Sequence, residues 1–105
     1  MAFKDAQKQV DDWVDQHKMG YWKPHEILAR LTEEVGELAR EINHIFGPKK
    51  KKAVEGPKKM VDELADVSFT IICLANSQGI DLEEAFKNTM EKCYGRDKNR
   101  FEKKN

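Results

Sequence analysis

Two pairs of acidic residues with the same spacing are the side chains of this sequence best suited to chemistry. Glu34 and Glu37 are three residues apart, and so are Glu63 and Asp66. Residues three apart share one face of an α-helix, so each pair would point its carboxylates in one direction. If the two helices pack side by side, four carboxylates meet, and their repulsion raises their pKa values unless a cation lies between them. Hard oxygen ligands of this kind suit Mg²⁺ or Mn²⁺.

The same spacing is also common on solvated helices, and the position of Glu34 bears on that alternative. The apolar residues of its helix form one stripe with spacings of three and four: Leu28, Leu31, Val35, Leu38, Ile42 and Ile45. On a helical wheel, Glu34 lies roughly 60° from the centre of the stripe, Glu37 roughly 120° and Glu33 roughly 160°. Glu34 is therefore expected at the edge of a buried seam, where an uncompensated carboxylate is unfavourable and a metal would compensate it.

Composition bounds the class of protein. The 105 residues are 39% hydrophobic and 36% charged, and 19 Lys and Arg balance 19 Asp and Glu. A chain of this length forms one domain, here 1–105, that buries roughly two-thirds of its unfolded surface. The lack of a basic excess argues against nucleic acid as a partner. The sequence has no signal-peptide pattern and no long apolar run, so we expect a cytoplasmic protein with no membrane partner.

Four helices are predicted, which makes the fold class all-α. They cover approximately residues 3–17, 24–46, 57–78 and 82–95. Gly20, Gly47-Pro48 and Gly79 separate them, because glycine and proline interrupt a helical pattern. Pro24 suits the first position of the second helix, and Asp81 suits the N-cap of the fourth.

The third predicted helix carries a clue about assembly. From Val67 to Ala75 it is apolar on nearly every side, and a helix that is apolar all round must be covered all round. Three neighbouring helices of a short chain can hardly do that. We therefore expect a dimer or a dimer of dimers, with this helix, including Ile72, at the interface. A central helix in a monomeric bundle is the alternative.

The acidic pairs resemble a family signature. The segments EEVGE, from Glu33 to Glu37, and ELAD, from Glu63 to Asp66, are similar to the EExxE and ExxD motifs of the MazG-like nucleotide pyrophosphohydrolases, most of all their short bacterial members of the YpjD type. The resemblance extends over 20–101. It implies a four-helix, all-α fold that assembles as dimers or tetramers. It also implies cleavage of a nucleoside triphosphate between the α and β phosphates, which gives a monophosphate and pyrophosphate.

Carried over residue by residue, the resemblance assigns roles to the acidic residues. It makes Glu34, Glu37, Glu63 and Asp66 the Mg²⁺ ligands, with Mn²⁺ as a substitute ion. Glu33 matches the first glutamate of the motif and would be a further ligand or a partner of the attacking water. Four or five carboxylates exceed what one Mg²⁺ needs, so two or more ions are expected with the triphosphate.

Basic and aromatic residues complete the implied site. Lys92 and Arg96, one turn apart, match basic positions of the family's C-terminal motif and would bind the triphosphate; cations that favour a helix C-terminus are the alternative. Trp22 falls where the family's base pocket lies, and a core or interface tryptophan is an equally good interpretation. Because the chain turns at Gly79, the fourth helix should run antiparallel to the third. Lys92 and Arg96 would then lie beside Glu63 and Asp66.

Two further patterns carry less weight. The run from Lys49 to Lys52 could attract a triphosphate, although a solvated loop is the better interpretation. Glu41 and His44 form an ExxH motif of the kind found in ferritin-like di-iron sites. Those sites use two such motifs, and this sequence has one.

The sequence therefore favours a Mg²⁺-dependent hydrolase that converts ribo- or deoxyribonucleoside triphosphates to monophosphates and pyrophosphate, a reaction suited to the house-cleaning of nucleotide pools. Two alternatives remain. One is a non-catalytic helical oligomer that binds metal and nucleotide as a regulatory or interaction module. The other is a structural oligomer whose acidic faces are solvated.

Overall fold

The computed structural model describes residues 1–48 and 56–104, and their regular structure consists of four helices. These are α1 (Phe3–Val14), α2 (Pro24–Phe46), α3 (Gly56–Ser77) and α4 (Leu82–Tyr94). The all-α prediction is confirmed, although α1 ends before the predicted His17. Within the described ranges, no helix is long and apolar enough to cross a membrane. The predicted lysine-rich loop from Lys49 to Lys52 lies outside the described residues.

The helices begin and end where the local chemistry requires it. Pro24 occupies the start of α2, where its missing N–H costs nothing. The Asp81 carboxylate caps α4 by accepting the backbone N–H groups of Glu83 at 3.0 Å and Glu84 at 3.3 Å. Gly20 and Gly79 have φ angles of 64° and 66°, which side chains with a Cβ rarely adopt. These two positions therefore turn the chain after α1 and after α3.

The main helix pair is α2 with α3. Glu37 lies near Glu63, and Ile27 lies near Thr70, so the two helices run antiparallel. The buried face of α2 comprises Ile27, Glu34 and Glu41, with Leu31, Leu38 and Ile45 partly buried between them. The predicted stripe is therefore displaced by one position, because Leu28, Val35 and Ile42 are exposed. Glu34 lies within the buried seam, where an edge position was expected.

A small apolar core joins α1 to the far end of α3. It consists of Val10, Val14 and Ile72. The expectation that Ile72 lies at a subunit interface is wrong, because Ile72 faces α1 of its own chain and is 9% exposed. Its neighbours Ile71 and Phe69 are exposed instead. The prediction that one chain cannot cover this helix all round is confirmed by those two residues.

Helix α4 packs against α1, and its contact with α2 and α3 is marginal. The rings of Phe3 and Phe86 lie 5.3 Å apart, and no residue of α4 is buried. The prediction that the end of α4 runs beside Glu63 and Asp66 is therefore wrong within one chain. The radius of gyration is 17.2 Å, against about 13 Å for a compact chain of this length, because the structure is open rather than a closed bundle.

Candidate active site

Three carboxylates lie together between α2 and α3. Oxygen atoms of Glu34, Glu37 and Glu63 all lie within 4.8 Å of one another. Glu34 is 2% exposed and Glu63 is 5% exposed. In the described part of the chain, no hydrogen-bond donor reaches Glu34 Oε2 or Glu63 Oε2. A buried carboxylate oxygen without a partner is costly, and hard oxygen donors suit a divalent cation. The three side chains therefore fit a metal site.

A cation one turn earlier on the same helix pairs with each buried carboxylate. Arg30 Nη2 lies 2.6 Å from Glu34 Oε1, and Lys59 Nζ lies 3.7 Å from Glu63 Oε1. Both cationic side chains are about half exposed. The sequence analysis did not identify Arg30 and Lys59. The signal that could have found them is their position, four residues before Glu34 and Glu63 respectively. These two cations partly neutralise the charge of the cluster, and about half of each cationic side chain stays exposed to solvent.

Burial dominates the electrostatics of the cluster. It raises the pKa of Glu34 more than Arg30 lowers it, and Glu37, Asp66 and Glu63 raise that pKa further. Burial is also the main cause that raises the pKa of Glu63, followed by contact with the Glu37 carboxyl group. The short ion pair with Arg30 favours the charged form of Glu34, but a carboxylate sealed from water and surrounded by three others is still harder to ionise. A bound cation would remove this penalty.

The remaining two acidic candidates differ in position. Asp66 is exposed, yet it lies close enough to Glu34 and Glu63 to raise the pKa of both. It also borders the cavity described below. The Glu33 side chain is 65% exposed and lies 3.9 Å from Arg30. The structure thus brings Asp66 to the edge of the cluster and leaves Glu33 outside it.

A cavity of about 370 Å³ adjoins the cluster. Its aromatic lining is Trp13, Tyr21, Trp22 and Phe69, and its polar end contains Arg30, Glu34 and Asp66. Trp13 meets Phe69 edge-on, with ring centroids 5.9 Å apart. Aromatic side chains of this kind stack on heteroaromatic rings. Trp22, predicted from the sequence, therefore lines this cavity next to its sequence neighbour Tyr21. Trp13 and Phe69 come from α1 and α3, and only the fold brings them to Trp22.

The other candidates lie apart from the carboxylates. Lys92 and Arg96 are exposed on and just beyond α4, and Arg96 Nε lies 3.2 Å from Asp97 Oδ1. The structure does not bring them to the cluster of their own chain. Glu41 is fully buried on the Glu34 face of α2. Among the described residues, neither Glu41 nor His44 belongs to a group of side chains placed to hold a metal.

Comparison with known families decides the relationship. The MazG nucleotide pyrophosphohydrolase domain matches residues 23–101, and this range contains the three-carboxylate cluster. The chain belongs to the MazG family. The resemblance predicted from the two acidic motifs is thereby confirmed, and the chain is a nucleotide pyrophosphohydrolase, a hydrolase of phosphoanhydride bonds in nucleotides.

Individual relatives agree with this relationship. YpjD of Bacillus subtilis (strain 168) is 52% identical over 103 residues, which cover 98% of this MazG chain and 93% of YpjD. YvdC of the same strain is 29% identical over 98 residues, which cover 88% and 92% of the two chains.

Two crystal structures show the same fold. That of B. subtilis YpjD has a TM-score of 0.82 with 52% identity, over 88% of this chain and 94% of the other. A Bacillus-conserved MazG protein, a nucleotide pyrophosphohydrolase, has a TM-score of 0.77 with 48% identity, over 88% of each chain. MazG pyrophosphohydrolases generally use divalent metals, and the acidic cluster agrees with that use.

Proposed function

We propose that this MazG protein is a Mg²⁺-dependent enzyme that hydrolyses ribo- or deoxyribonucleoside triphosphates to monophosphates and pyrophosphate. One observation carries the proposal. Glu34, Glu37 and Glu63 form a cluster of carboxylates beside an aromatic cavity; Glu34 and Glu63 are buried, and each has an oxygen without a donor among the described residues. The cluster suits a metal–phosphate complex, and the cavity is within the size range of small-molecule sites. House-cleaning of cytoplasmic nucleotide pools would be a suitable role.

The proposed metal ligands are Glu34, Glu37, Glu63 and Asp66. Three of them already converge, and Asp66 is near enough to interact electrostatically with Glu34 and Glu63. Bound Mg²⁺, or Mn²⁺ in its place, would neutralise phosphate charge and lower the pKa of a water for in-line attack. Glu33 is exposed outside the cluster, so we propose for it an effect on the attacking water rather than a ligand role.

Arg30 and Lys59 are proposed to bind the phosphate groups. They pair with Glu34 and Glu63, and a metal ion held by those carboxylates would compete with both pairs. The long side chains are half exposed and can turn to phosphate oxygens without leaving the site. Arginine can bind such oxygens bidentately, and lysine offers a compact charge.

The aromatic cavity is proposed to hold the base. Trp22 is 55% exposed and lines the cavity together with Trp13 and Phe69. A large exposed ring is poorly placed for a core role but well placed for stacking on a base. Glu34 and Asp66 line the cavity and also belong to the proposed metal ligands. The sugar would then lie between the base in the cavity and the phosphates at the carboxylates.

We further propose a homodimer or homotetramer. Leu28, Val35 and Ile71 are apolar and exposed on the main helix pair, and association of two copies would remove such side chains from water. Lys92 lies on α4 and Arg96 just beyond it, and α4 packs against α1 rather than against the helix pair that carries the cluster. In an assembly these two cations would bind the triphosphate at the cluster of a second copy. Neither nucleic acid nor a membrane is proposed as a partner.

Product analysis tests the proposed reaction. Purified protein is incubated with each common ribo- and deoxyribonucleoside triphosphate and Mg²⁺, and pyrophosphate and orthophosphate are measured separately. The expected result is one pyrophosphate per monophosphate, loss of activity with chelator, and recovery with Mn²⁺. Release of orthophosphate would show cleavage at another bond. Saturable nucleotide binding with no product would instead favour the non-catalytic binding module.

A further inference from the structure

A directional series of hydrogen bonds connects the start of α4 to the aromatic wall of the cavity. The Leu82 N–H donates to Gln7 Oε1 at 3.0 Å, and Gln7 Nε2 donates to Asn76 Oδ1 at 2.7 Å. Asn76 Nδ2 donates to the Tyr21 hydroxyl at 2.9 Å, and that hydroxyl donates to Asp11 Oδ1. We call these five residues the polar relay. All its bonds run in one direction, so each polarises the next.

The orientation of both amides in the relay is determined by their partners. Gln7 Nε2 also donates to the Ile80 carbonyl at 2.8 Å, and Asn76 Nδ2 also donates to the Gln7 carbonyl at 2.9 Å. If the Gln7 amide were rotated, its NH₂ group would face the Leu82 N–H, and two donors would meet. Rotation of Asn76 would place its oxygen against the Gln7 carbonyl. The relay therefore has one arrangement that satisfies every group.

Tyr21 is where the relay meets the cavity. Its ring packs against the core formed by Val10, Val14 and Ile72 and also lines the cavity. Its hydroxyl uses its donor on Asp11 and accepts from Asn76. Burial, with a smaller effect of the Asp11 bond, raises the Tyr21 pKa to about 12. The hydroxyl therefore keeps its proton, and its bond to Asp11, at neutral pH.

We propose that Asn76 and Asp11 are positioning residues for substrate binding, because they hold the hydroxyl of Tyr21 and so fix the ring that forms one wall of the nucleoside cavity. Neither residue lines the cavity itself, so their effect on a ligand passes through Tyr21. Tyr21 lies between α1 and α2, outside regular helix, where no ladder of backbone bonds fixes it. The inference rests on the proposed function, which supplies the nucleoside.

Four variants test this role. Tyr21→Phe, Asn76→Ala and Asp11→Ala each interrupt the relay. Asp12→Ala is the matched control, since this neighbouring aspartate pairs with Lys8 at 3.2 Å and takes no part in the relay. The probe is adenosine 5′-monophosphate, and binding is followed by the intrinsic fluorescence of the two tryptophans of the chain, both of which line the cavity. Circular dichroism confirms that each variant is folded.

The three relay variants should raise the Kd for adenosine monophosphate by about five-fold, the effect of one lost hydrogen bond. Asp12→Ala should bind as the wild type does. Inorganic triphosphate with Mg²⁺ carries no nucleoside, so calorimetry should give one affinity for all the proteins. In turnover assays KM should rise and kcat should stay unchanged. The double variant Tyr21→Phe/Asn76→Ala should bind adenosine monophosphate no more weakly than the weaker-binding of the two single variants, since both substitutions act through one ring.

The outcomes separate the two proposals. If the wild type releases pyrophosphate while all relay variants keep its KM and its Kd, the relay only stabilises the fold and the inference is wrong. An equal loss of affinity in Asp12→Ala would refute it as well. If the wild type neither binds adenosine monophosphate nor hydrolyses any triphosphate, the proposed function fails, and the positioning role fails with it.

Discussion

The two faces of α2 contradict the usual distribution of polar and apolar residues, in opposite ways. On the face toward α3, Glu34 and Glu41 are buried. On the adjacent face, Leu28, Val35 and Ile42 are exposed, and each directly follows a buried residue in the sequence. Burial of a carboxylate and exposure of a leucine are both unfavourable. At Glu34, one carboxylate oxygen pairs with Arg30, and the other has no donor among the described residues.

We propose a different partner for each of these two faces. The carboxylate face is suited to a cation, because Glu34 converges with two other carboxylates. The apolar face is suited to a second copy, because apolar side chains exclude water best against one another. Neighbouring positions on one helix can therefore serve different purposes. Substitutions at adjacent positions should then separate catalysis, folding and assembly.

The largest expected effect is the loss of catalysis on the carboxylate face. Glu34→Gln keeps the shape of the side chain and removes a proposed metal ligand. We expect kcat/KM to fall by about 1000-fold or more, equivalent to about 4 kcal/mol. Glu26→Gln is the control on the same helix, because Glu26 is exposed and only accepts the N–H of Lys23 at 3.0 Å. Calorimetry with Mg²⁺ should show weaker binding for Glu34→Gln alone. Activity of that variant within ten-fold of wild type would exclude Glu34 as a ligand.

Most of the secondary structure could be predicted from the sequence because its determinants are local. Asp81 caps α4 as expected, and Gly20 and Gly79 adopt the positive φ angles that turn the chain after α1 and after α3. The buried face of α2 was misplaced by one position because a helical wheel treats apolar residues as the buried ones. In this helix Glu34 takes a place in the seam that Val35 would fill in an ordinary bundle.

The acidic part of the site depends on spacing within single helices and on one helix pairing. The spacings of Glu34 with Glu37 and of Glu63 with Asp66 predicted carboxylates that meet if the two helices pack side by side, and Glu34, Glu37 and Glu63 do lie together. The direction of α4 was not predictable, since it depends on Gln7, which is 75 positions before Leu82, the residue it binds. A turn at Gly79 reverses the chain but does not choose the helix on which α4 packs.

An intermediate effect is expected where the two faces meet in sequence, at Ile27 and Leu28. Ile27 is 3% exposed and Leu28 is 57% exposed. Leu28→Glu should leave the chain folded and shift its mass in light scattering toward the 12.2 kDa monomer, because glutamate is a good helix former but disfavours an apolar interface. Ile27→Glu should instead unfold it, because it buries an unpaired charge. If Leu28→Glu kept the wild-type mass, this face would not be an interface.

The smallest expected effect concerns pH, and it tests the carboxylate face without substrate. Burial raises the pKa of both Glu34 and Glu63 in the folded, metal-free protein. A carboxyl group with a raised folded pKa contributes stability that is fully present below its unfolded pKa and is lost as pH rises through its folded pKa. The unfolded reference value is 4.5. In chelator, the contribution of these two groups to stability should therefore decline from that pH upward.

Differential scanning calorimetry can isolate this contribution by comparing wild type with Glu34→Gln between about pH 5 and about pH 7.5. Glutamine does not titrate, so Glu34→Gln should gain Tm relative to wild type as the pH rises, by a few degrees for about 1 kcal/mol in a chain of this size. Added Mg²⁺ should raise the wild-type Tm more at the higher pH, because the ion binds ionised carboxylates and competes with fewer protons there. A wild-type advantage that grows with pH in chelator would mean that Arg30 outweighs burial at Glu34. The buried carboxylates would then be stabilised by the chain itself, and the contrast between the two faces of α2 would no longer require a metal.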